Sequence, residues 1–158
     1  MVLAANIGFS SESVTPVTVP EAAVQEISDQ SVLKDIKPTE KSMTIEEYVR
    51  GYFSDIPVMA EIAKCESRFR QYDKNGEVLR GEKNTLDRGV MQINEYYHNE
   101  SSIKLGYDIM TLEGNTAYAR YLFEKYGVKP WKSSSKCWSK TTAYSEYQQS
   151  KEELAMKS

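Results

Sequence analysis

The chain has 158 residues, a mass of 18.0 kDa and a net charge of −3, from 20 basic and 23 acidic side chains. This charge balance excludes a function based on binding the phosphates of nucleic acid, because such binding needs a basic surface. One histidine and two cysteines are too few for a tetrahedral metal site, so neither a metal nor another cofactor is expected. No apolar run approaches the ~20 residues that span a bilayer, so no integral membrane segment is expected.

The first 42 residues differ in composition from the rest. The segment from Ser10 to Ser42 carries all of the net negative charge and three prolines, but no aromatic residue. Such a segment cannot bury enough apolar surface to offset the entropy lost on ordering. We therefore predict a disordered acidic spacer over residues 1–42, the alternative being a short helix around Ala22–Ile27.

The folded domain is predicted for residues 43–138 and begins with two helices. Thr44-Ile45-Glu46-Glu47 is a capping-box pattern, and an apolar stripe follows it as far as Ile56. Pro57 fits the first turn of a second helix. The buried stripe of that helix reads, in order, Met59, Ile62, Ala63 and Glu66. An acid therefore occupies a position where the helix calls for an apolar residue.

A short β region and two further helices complete the domain. Asn75-Gly76 lies between Gln71-Tyr72-Asp73 and Val78-Leu79-Arg80 and predicts a hairpin with a two-residue loop. Helices are then predicted from about 95 to Gly106 and from Thr111 to Gly127. Residues 139–158 form a polar tail without a convincing apolar stripe. The pattern predicts a mainly helical α+β fold with a small antiparallel sheet.

Glu66 is the first candidate for chemistry. A carboxylate on a buried stripe costs several kcal/mol unless it is paired or protonated, and desolvation raises its pKa. A glutamate with a raised pKa is a good general acid at neutral pH. The alternative is a buried structural glutamate that is held by backbone donors or by an arginine such as Arg68 or Arg70.

A second motif follows the predicted hairpin and reads Gly89-Val90-Met91-Gln92-Ile93-Asn94. Gly89 allows close approach of the backbone. Gln92 and Asn94 carry amides that both donate and accept hydrogen bonds, which suits sugar hydroxyls and N-acetyl groups. Val90 and Ile93 are expected to fill the core.

Together these motifs resemble the soluble lytic transglycosylases, whose domain is lysozyme-like. Glu66-Ser67 matches their Glu-Ser motif, and Gly89–Ile93 matches their Gly-Leu-Met-Gln-Ile motif with Val in place of Leu. Tyr121-Leu122 matches the end of their third motif, whereas their later Ala-Tyr-Asn motif is absent from its usual place. The resemblance covers about residues 57–138 and implies a lysozyme-like domain.

The cysteines carry a second resemblance. Cys65-Glu66-Ser67, with the closing Trp131 and Cys137, resembles the resuscitation-promoting factors, which are small lysozyme-like wall enzymes. Their disulfide cysteine lies beside the catalytic glutamate, which implies a Cys65–Cys137 disulfide here. Two free thiols in a cytosolic protein are the alternative. We therefore expect an exported protein that is periplasmic, at the cell surface, secreted or carried by a phage.

Both families cut the bond between N-acetylmuramic acid and N-acetylglucosamine in peptidoglycan. The resemblance implies that Glu66 is the acid/base of lytic transglycosylation, which leaves 1,6-anhydro-N-acetylmuramic acid ends. From the motifs and from the chemistry of amides and aromatic rings together, substrate-binding roles are expected for Ser67, Met91, Gln92, Asn94, Tyr118 and Tyr121. The expected partner is the peptidoglycan glycan strand, bound by a monomer.

Two other functions compete with this interpretation. One is a muramidase that hydrolyses the same bond, which normally needs a second carboxylate. The candidates for that carboxylate are Asp73, Glu77, Asp87 and Glu95. Among them, Asp87 is expected to form an ion pair with Arg88. The other function is a catalytically silent wall-binding module, against which the intact Glu66, Ser67 and Gln92 argue.

Aromatic residues offer further contacts for a sugar. Those that could face pyranose rings are Tyr96, Tyr97, Tyr118, Tyr121 and Trp131, although core packing is expected for each of them individually. His98 is expected to be a surface residue without a catalytic role.

Overall fold

The computed structural model describes residues 42–157. The helices of this part are α1 (Ile45–Tyr52), α2 (Pro57–Ser67), α3 (Glu95–Lys104), α4 (Leu112–Tyr126), α5 (Ser135–Trp138) and α6 (Thr142–Met156), with a 3₁₀ helix at Lys129–Ser134. Two short strands, β1 (Asp87–Arg88) and β2 (Ile93–Asn94), form an antiparallel sheet. The mainly helical α+β class is thereby confirmed for the described residues. The spacer predicted for residues 1–42 lies outside them, except for Ser42.

The first two helices begin as predicted. Thr44 Oγ1 accepts a hydrogen bond from the Glu47 N–H at 3.1 Å, and the Glu47 carboxylate accepts one from the Thr44 N–H at 2.8 Å. Pro57 opens α2, where its missing N–H would have no partner within the helix. Both helix starts are therefore fixed by local sequence.

The central helix of the domain is α2, which packs against α1, α5, α6 and the 3₁₀ helix. Met59, Ile62 and Ala63 on its predicted stripe are fully buried, and Glu66, the next residue of that stripe, is partly buried. Each large apolar side chain stabilises the fold by about 2 kcal/mol when it is buried. The stripe therefore fixes the rotation of α2 about its axis and the direction in which Glu66 faces.

The sheet occurs later in the chain than the hairpin signal predicts. Asp87 lies opposite Asn94 and Arg88 opposite Ile93, so the two strands pair across the second motif. The segment around the predicted hairpin contributes single antiparallel bridges instead of a continuous ladder. The two strands of the sheet therefore flank the turn that contains Gln92.

The Asn75-Gly76 turn is longer than predicted. The Asp73 N–H donates to the carbonyl of Glu77 at 2.8 Å, which leaves three residues in the loop instead of two. The Asp73 carboxylate also accepts from the N–H groups of Asn75 at 2.8 Å and of Glu77 at 3.1 Å. This side-chain bonding favours the wider turn. Gly76 ends the loop at a φ of 83°, as three-residue hairpin loops require.

Two buried amide side chains hold the segment that begins at Gly89. Gln71 Oε1 accepts from the Val90 N–H at 2.8 Å, and Asn115 Oδ1 accepts from the Met91 N–H at 2.9 Å. Gly89 lies between these amides with a φ of 66°. A backbone this close to two side chains leaves no room for a Cβ atom.

The ends of the later helices also follow the prediction. Gly106 follows α3 at a φ of 81°, and Gly127 ends α4 at a φ of 61°. Thr111 Oγ1 accepts from the Gly114 N–H at 3.0 Å and so caps the start of α4. Both helices therefore end at or just before the glycines that the sequence indicates.

The predicted polar tail contains the helix α6. Its residues Ala143, Tyr144 and Tyr147 pack against the core. The rings of Tyr144 and Trp138 contact each other edge-to-face, with their centroids 5.1 Å apart. The contact involves little more than the first turn of the helix, so the apolar residues do not form a long stripe in the sequence. This short contact is why the packing was not predicted.

The predicted disulfide between Cys65 and Cys137 is present and joins α2 to α5. It spans 72 residues of sequence. Closing a loop of this length stabilises a fold by about 4 kcal/mol in the chain-entropy model. Within residues 42–157, no helix is both long enough and apolar enough to cross a membrane.

Replacing Gly89 by alanine should destabilise the domain much more than the same change at Gly76. The added methyl carbon at Gly89 would lie 2.4 Å from Gln71 Oε1 and 2.7 Å from Asn115 Nδ2, whereas nothing lies within 4 Å at Gly76. We expect urea denaturation to show a loss of about 3 kcal/mol at Gly89, against about 1 kcal/mol for positive φ alone at Gly76. Equal losses would contradict the close packing of the two amides.

Candidate functional site

A cleft of about 180 Å³ brings Glu66 together with the second motif. Its polar lining consists of Glu66, Asp87, Gln92, Asn94, His98 and Ser133. Its apolar lining consists of Ile93, Leu122, Pro130 and Trp131. Residues far apart in the sequence therefore converge around one acid.

The Glu66 carboxylate is held by two successive hydrogen bonds from residues near the C-terminal end of the predicted domain. Ser134 Oγ donates to Glu66 Oε1 at 2.6 Å. Trp138 Nε1 in turn donates to Ser134 Oγ at 2.9 Å. Because Trp138 is buried, this chain fixes the carboxyl group from one side.

Burial is the main cause that raises the pKa of Glu66 above its usual value. The hydrogen bond from Ser134 opposes this shift, and the negative charge of Asp87 adds to it. An acid in this state holds its proton to a higher pH than an exposed glutamate. Glu66 is therefore suited to donate a proton within the cleft.

In the part of the chain that the structure describes, no arginine bonds to Glu66, so the arginine contacts of the structural alternative are not formed. Arg70 Nε donates to the carbonyl of Ser67 at 2.9 Å. Arg68 is exposed and lines a separate hollow. The carboxyl group is paired with Ser134 instead.

Ser67, for which a substrate-binding role is expected, is not among the residues that line the cleft. Its side chain is buried, and its Oγ donates to the carbonyl of Ala63 at 3.1 Å and accepts from the Arg70 N–H at 3.1 Å. Arg68 and Phe69, which follow it, both have a left-handed backbone, with φ values of 57° and 58°. Ser67 therefore holds the sharp turn by which the chain leaves α2.

Asp87 lies in the cleft, and the expected ion pair with Arg88 is not formed. Its Oδ1 accepts from the side-chain amides of Asn94 at 2.7 Å and Asn84 at 3.2 Å. Arg88 is buried and instead forms a two-pronged ion pair with Glu95. Neighbouring residues of a strand point to opposite faces, which separates Asp87 from Arg88.

Of the four candidates for a second carboxylate, only Asp87 is among the residues that line the cleft around Glu66. Glu95 is engaged by Arg88, and Asp73 holds the turn before Glu77. Glu77 itself is exposed.

Gln92 and Asn94 line the cleft as predicted. Gln92 has a φ of 50°, which is unfavourable for a residue with a side chain, and its Nε2 donates to the Gly89 carbonyl at 2.8 Å. Backbone strain of this kind is typical of functional positions. Asn94 holds Asp87 and also caps α3, since its Oδ1 accepts from the Tyr97 N–H at 3.4 Å.

His98 also lines the cleft and is partly buried, so the expectation of a plain surface residue is wrong. Its Nδ1 lies 3.1 Å from the hydroxyl of Tyr118. Burial lowers the pKa of His98, which favours the neutral ring at neutral pH. Tyr118 is itself buried and reaches the cleft only through His98.

Met91 and Tyr121, the remaining predicted binding residues, are not part of the cleft lining. Met91 is fully buried, and its carbonyl accepts from Trp131 Nε1 at 2.9 Å. Tyr121 stacks on the Tyr118 ring at 5.5 Å. These side chains support the wall of the cleft from behind.

Ser134 is the functional residue that sequence reasoning missed entirely. It is one of three consecutive serines after Lys132, and nothing in that run distinguishes it from the other two. The amides of Gln71 and Asn115 were not recognised as supports either. The sequence signal for them was Gly89, which indicated that other groups lie close to the backbone there but did not identify Gln71 and Asn115 as those groups.

A larger hollow of about 580 Å³ is lined by the disulfide and by charged side chains of both signs, including Glu61, Lys64 and Arg68. Among residues 42–157, no group of three histidine, cysteine, aspartate or glutamate side chains is placed to hold a metal ion.

Comparison with models of protein families found no match, and neither did comparisons with curated proteins and with solved structures.

Replacing Ser134 by alanine should raise the pKa of Glu66 further, because it removes the hydrogen bond that favours the ionised carboxylate. The measurement is an NMR titration of the Glu66 side-chain carboxyl carbon, assigned by its loss in Glu66→Gln. Ser135→Ala, at the first residue of α5, is the matched control and should leave the titration unchanged. A pKa that fell or stayed constant in Ser134→Ala would contradict the role given to this hydroxyl.

Proposed function

We propose that this protein cleaves the glycan strands of peptidoglycan by lytic transglycosylation, at the bond between N-acetylmuramic acid and N-acetylglucosamine. The observation that carries the proposal is the partly buried Glu66, whose pKa is raised, in a cleft that it shares with the amides of Gln92 and Asn94. The motifs that resemble the soluble lytic transglycosylases contain Glu66 and Gln92, and Asn94 directly follows the second motif.

The proposed reaction uses Glu66 twice. The protonated acid first gives its proton to the glycosidic oxygen as the bond from that oxygen to C1 of the muramyl unit breaks. The carboxylate then removes the proton from the C6 hydroxyl of the same unit, and the C6 oxygen attacks C1. The ring closes to a 1,6-anhydro sugar, and Glu66 regains its proton. Because the nucleophile is already part of the substrate, proximity lowers the barrier and no water is consumed.

The chemistry of the cleft suits an N-acetylated sugar. Gln92 and Asn94 offer amide donors and acceptors, and neutral His98 adds a ring nitrogen. Trp131, Ile93 and Leu122 also line the cleft, but each is buried and exposes little apolar area to a sugar. No lysine or arginine is among the residues that line this cleft, so it offers no direct partner to a phosphate.

The Cys65–Cys137 disulfide supports export, because such bonds persist in oxidising compartments. Peptidoglycan lies in such a compartment. The bond and the proposed substrate therefore point to the same location.

A second candidate function is hydrolysis of the same bond by a muramidase, and Asp87 is the observation that favours it. Its carboxylate lies in the cleft with Glu66 and is held by the amides of Asn84 and Asn94. A hydrolase uses a second carboxylate to activate water or to form a covalent intermediate. The products separate the two functions.

Glu66→Gln should reduce cleavage of purified sacculi by at least ~10²-fold, because glutamine keeps the size of the side chain but cannot transfer the proton. With the unaltered protein, mass spectrometry should detect muropeptides with 1,6-anhydro-N-acetylmuramic acid ends, lighter by one water than hydrolysed ends. Reducing ends that incorporate labelled oxygen from water would establish a muramidase instead. Full activity in Glu66→Gln would refute the catalytic role of Glu66, and the absence of any cleavage by the unaltered protein would refute both functions.

Asp87→Asn tests whether the second carboxylate takes part in the reaction. For a transglycosylase, we expect the optimal rate to stay within about tenfold, since only a charge that tunes Glu66 is removed. The alkaline limb of the pH–activity profile should move to lower pH, because the charge of Asp87 raises the pKa of Glu66.

The control for that test is Glu77→Gln, an exposed acid outside the cleft, which should leave the pH profile unchanged. A loss of ~10²-fold or more in Asp87→Asn, with reducing-end products, would assign Asp87 a direct role in hydrolysis.

A further inference from the structure

Two large aromatic side chains on the first turn of α3 face solvent. Tyr96 is 76% exposed and Tyr97 is 73% exposed. Core packing, which was expected for each of them, does not explain either residue. Their rings contact each other edge-to-face with centroids 5.0 Å apart, so the pair forms one continuous aromatic surface.

This pair is continuous with the cleft. Residues three and four apart lie on one face of a helix, so Asn94, Tyr97 and His98 share a face at the start of α3. The first and last of these three line the cleft around Glu66. Tyr97 directly precedes His98, and the Tyr97 N–H donates to Asn94 Oδ1, so the tyrosine pair lies beside the residues that line the cleft.

We propose that Tyr97, supported by Tyr96, is a stacking platform for a sugar of the glycan strand that lies outside the cleft. This inference rests on the proposed function and extends it, because it identifies long glycan strands, and not short fragments, as the preferred substrate. The Tyr97 ring would pack against the apolar face of a pyranose, and its hydroxyl would remain available to the sugar hydroxyls.

The charges around the platform are compensated, so they do not repel the lactyl carboxylates of a glycan strand. The nearest acid in the sequence, Glu95, is engaged by buried Arg88. The net charge of −3 is carried by the segment from Ser10 to Ser42, and the chain from Met43 onward has no net charge. A cleft of about 180 Å³ holds only a small part of a strand, so a longer strand must continue over the surface beside it.

The test measures binding in the full chain carrying Glu66→Gln, so that the ligand is not consumed. The ligands are strands of alternating N-acetylglucosamine and N-acetylmuramic acid with two, four, six and eight sugars, and calorimetry gives each dissociation constant. Tyr97→Ser and Tyr96→Ser are added in turn. Tyr72→Ser, an exposed tyrosine that does not line the cleft, is the matched control.

We expect affinity to rise with strand length in the parent. Tyr97→Ser should weaken binding of the eight-sugar strand about tenfold while the shortest strand that binds is unaffected, and Tyr96→Ser should have a smaller effect. Tyr72→Ser should change neither. Both altered tyrosines are exposed, so thermal unfolding should show that the fold is retained.

Each other outcome is decisive. If no strand of any length binds the parent, the proposed function fails. If strands bind and the gain with length survives Tyr97→Ser, the platform is refuted while the proposed function stands. If Tyr97→Ser instead abolishes self-association of the protein in sedimentation experiments and leaves glycan binding unchanged, the surface joins two copies of the chain and the inference is overturned.

Discussion

The burial of one carboxyl group governs the arrangement of the site. Met59, Ile62 and Ala63 are fully buried, and they fix α2 so that Glu66 must enter the edge of the core. A carboxylate in such a place costs several kcal/mol unless hydrogen bonds compensate it or a proton neutralises it. The domain does both in part, because Ser134 donates one hydrogen bond while burial still raises the pKa of the acid. A stronger set of donors would keep Glu66 ionised and remove its capacity to deliver a proton.

The hydrogen bond to Glu66 depends on a covalent link between distant segments. Cys65 precedes Glu66 on α2, and Cys137 lies three residues after Ser134. The disulfide therefore joins the same two segments that the Ser134–Glu66 hydrogen bond connects. Buried Trp138, next to Cys137, donates to Ser134 and fixes its position from the other side. Any change that frees α5 from α2 would disturb the acid as well as the fold.

Local features of this fold could be predicted, whereas partners from distant segments could not. The periodicity of α2 identified Glu66 because burial of a helical residue shows in its own neighbours, and the cap at Thr44 is likewise local. Ser134 lies 68 residues from the acid that it holds, and no local pattern reports that contact. The ion pair predicted between Asp87 and Arg88 was wrong. The prediction relied on their adjacency in the sequence, although the side chains of successive residues in a strand face opposite sides. The sheet was misplaced because the Asn75-Gly76 turn is a local signal and strand pairing is not.

The shifted pKa values of Glu66 and Asp55 make the stability of the fold depend on pH in opposite ways. The folded-state pKa of Glu66 is raised, mainly by burial, so its contribution to stability is fully present below the pKa of the unfolded chain and is lost as pH rises through the folded value. For exposed Asp55, the hydrogen bonds from Arg120 lower the pKa to about 2, so its contribution is present at neutral pH and is lost as pH falls toward that value. At neutral pH the domain thus retains the contribution of Asp55, whereas the contribution of Glu66 falls as its carboxyl group ionises. The disulfide, at about 4 kcal/mol, depends on neither titration and offsets part of the cost of burying Glu66.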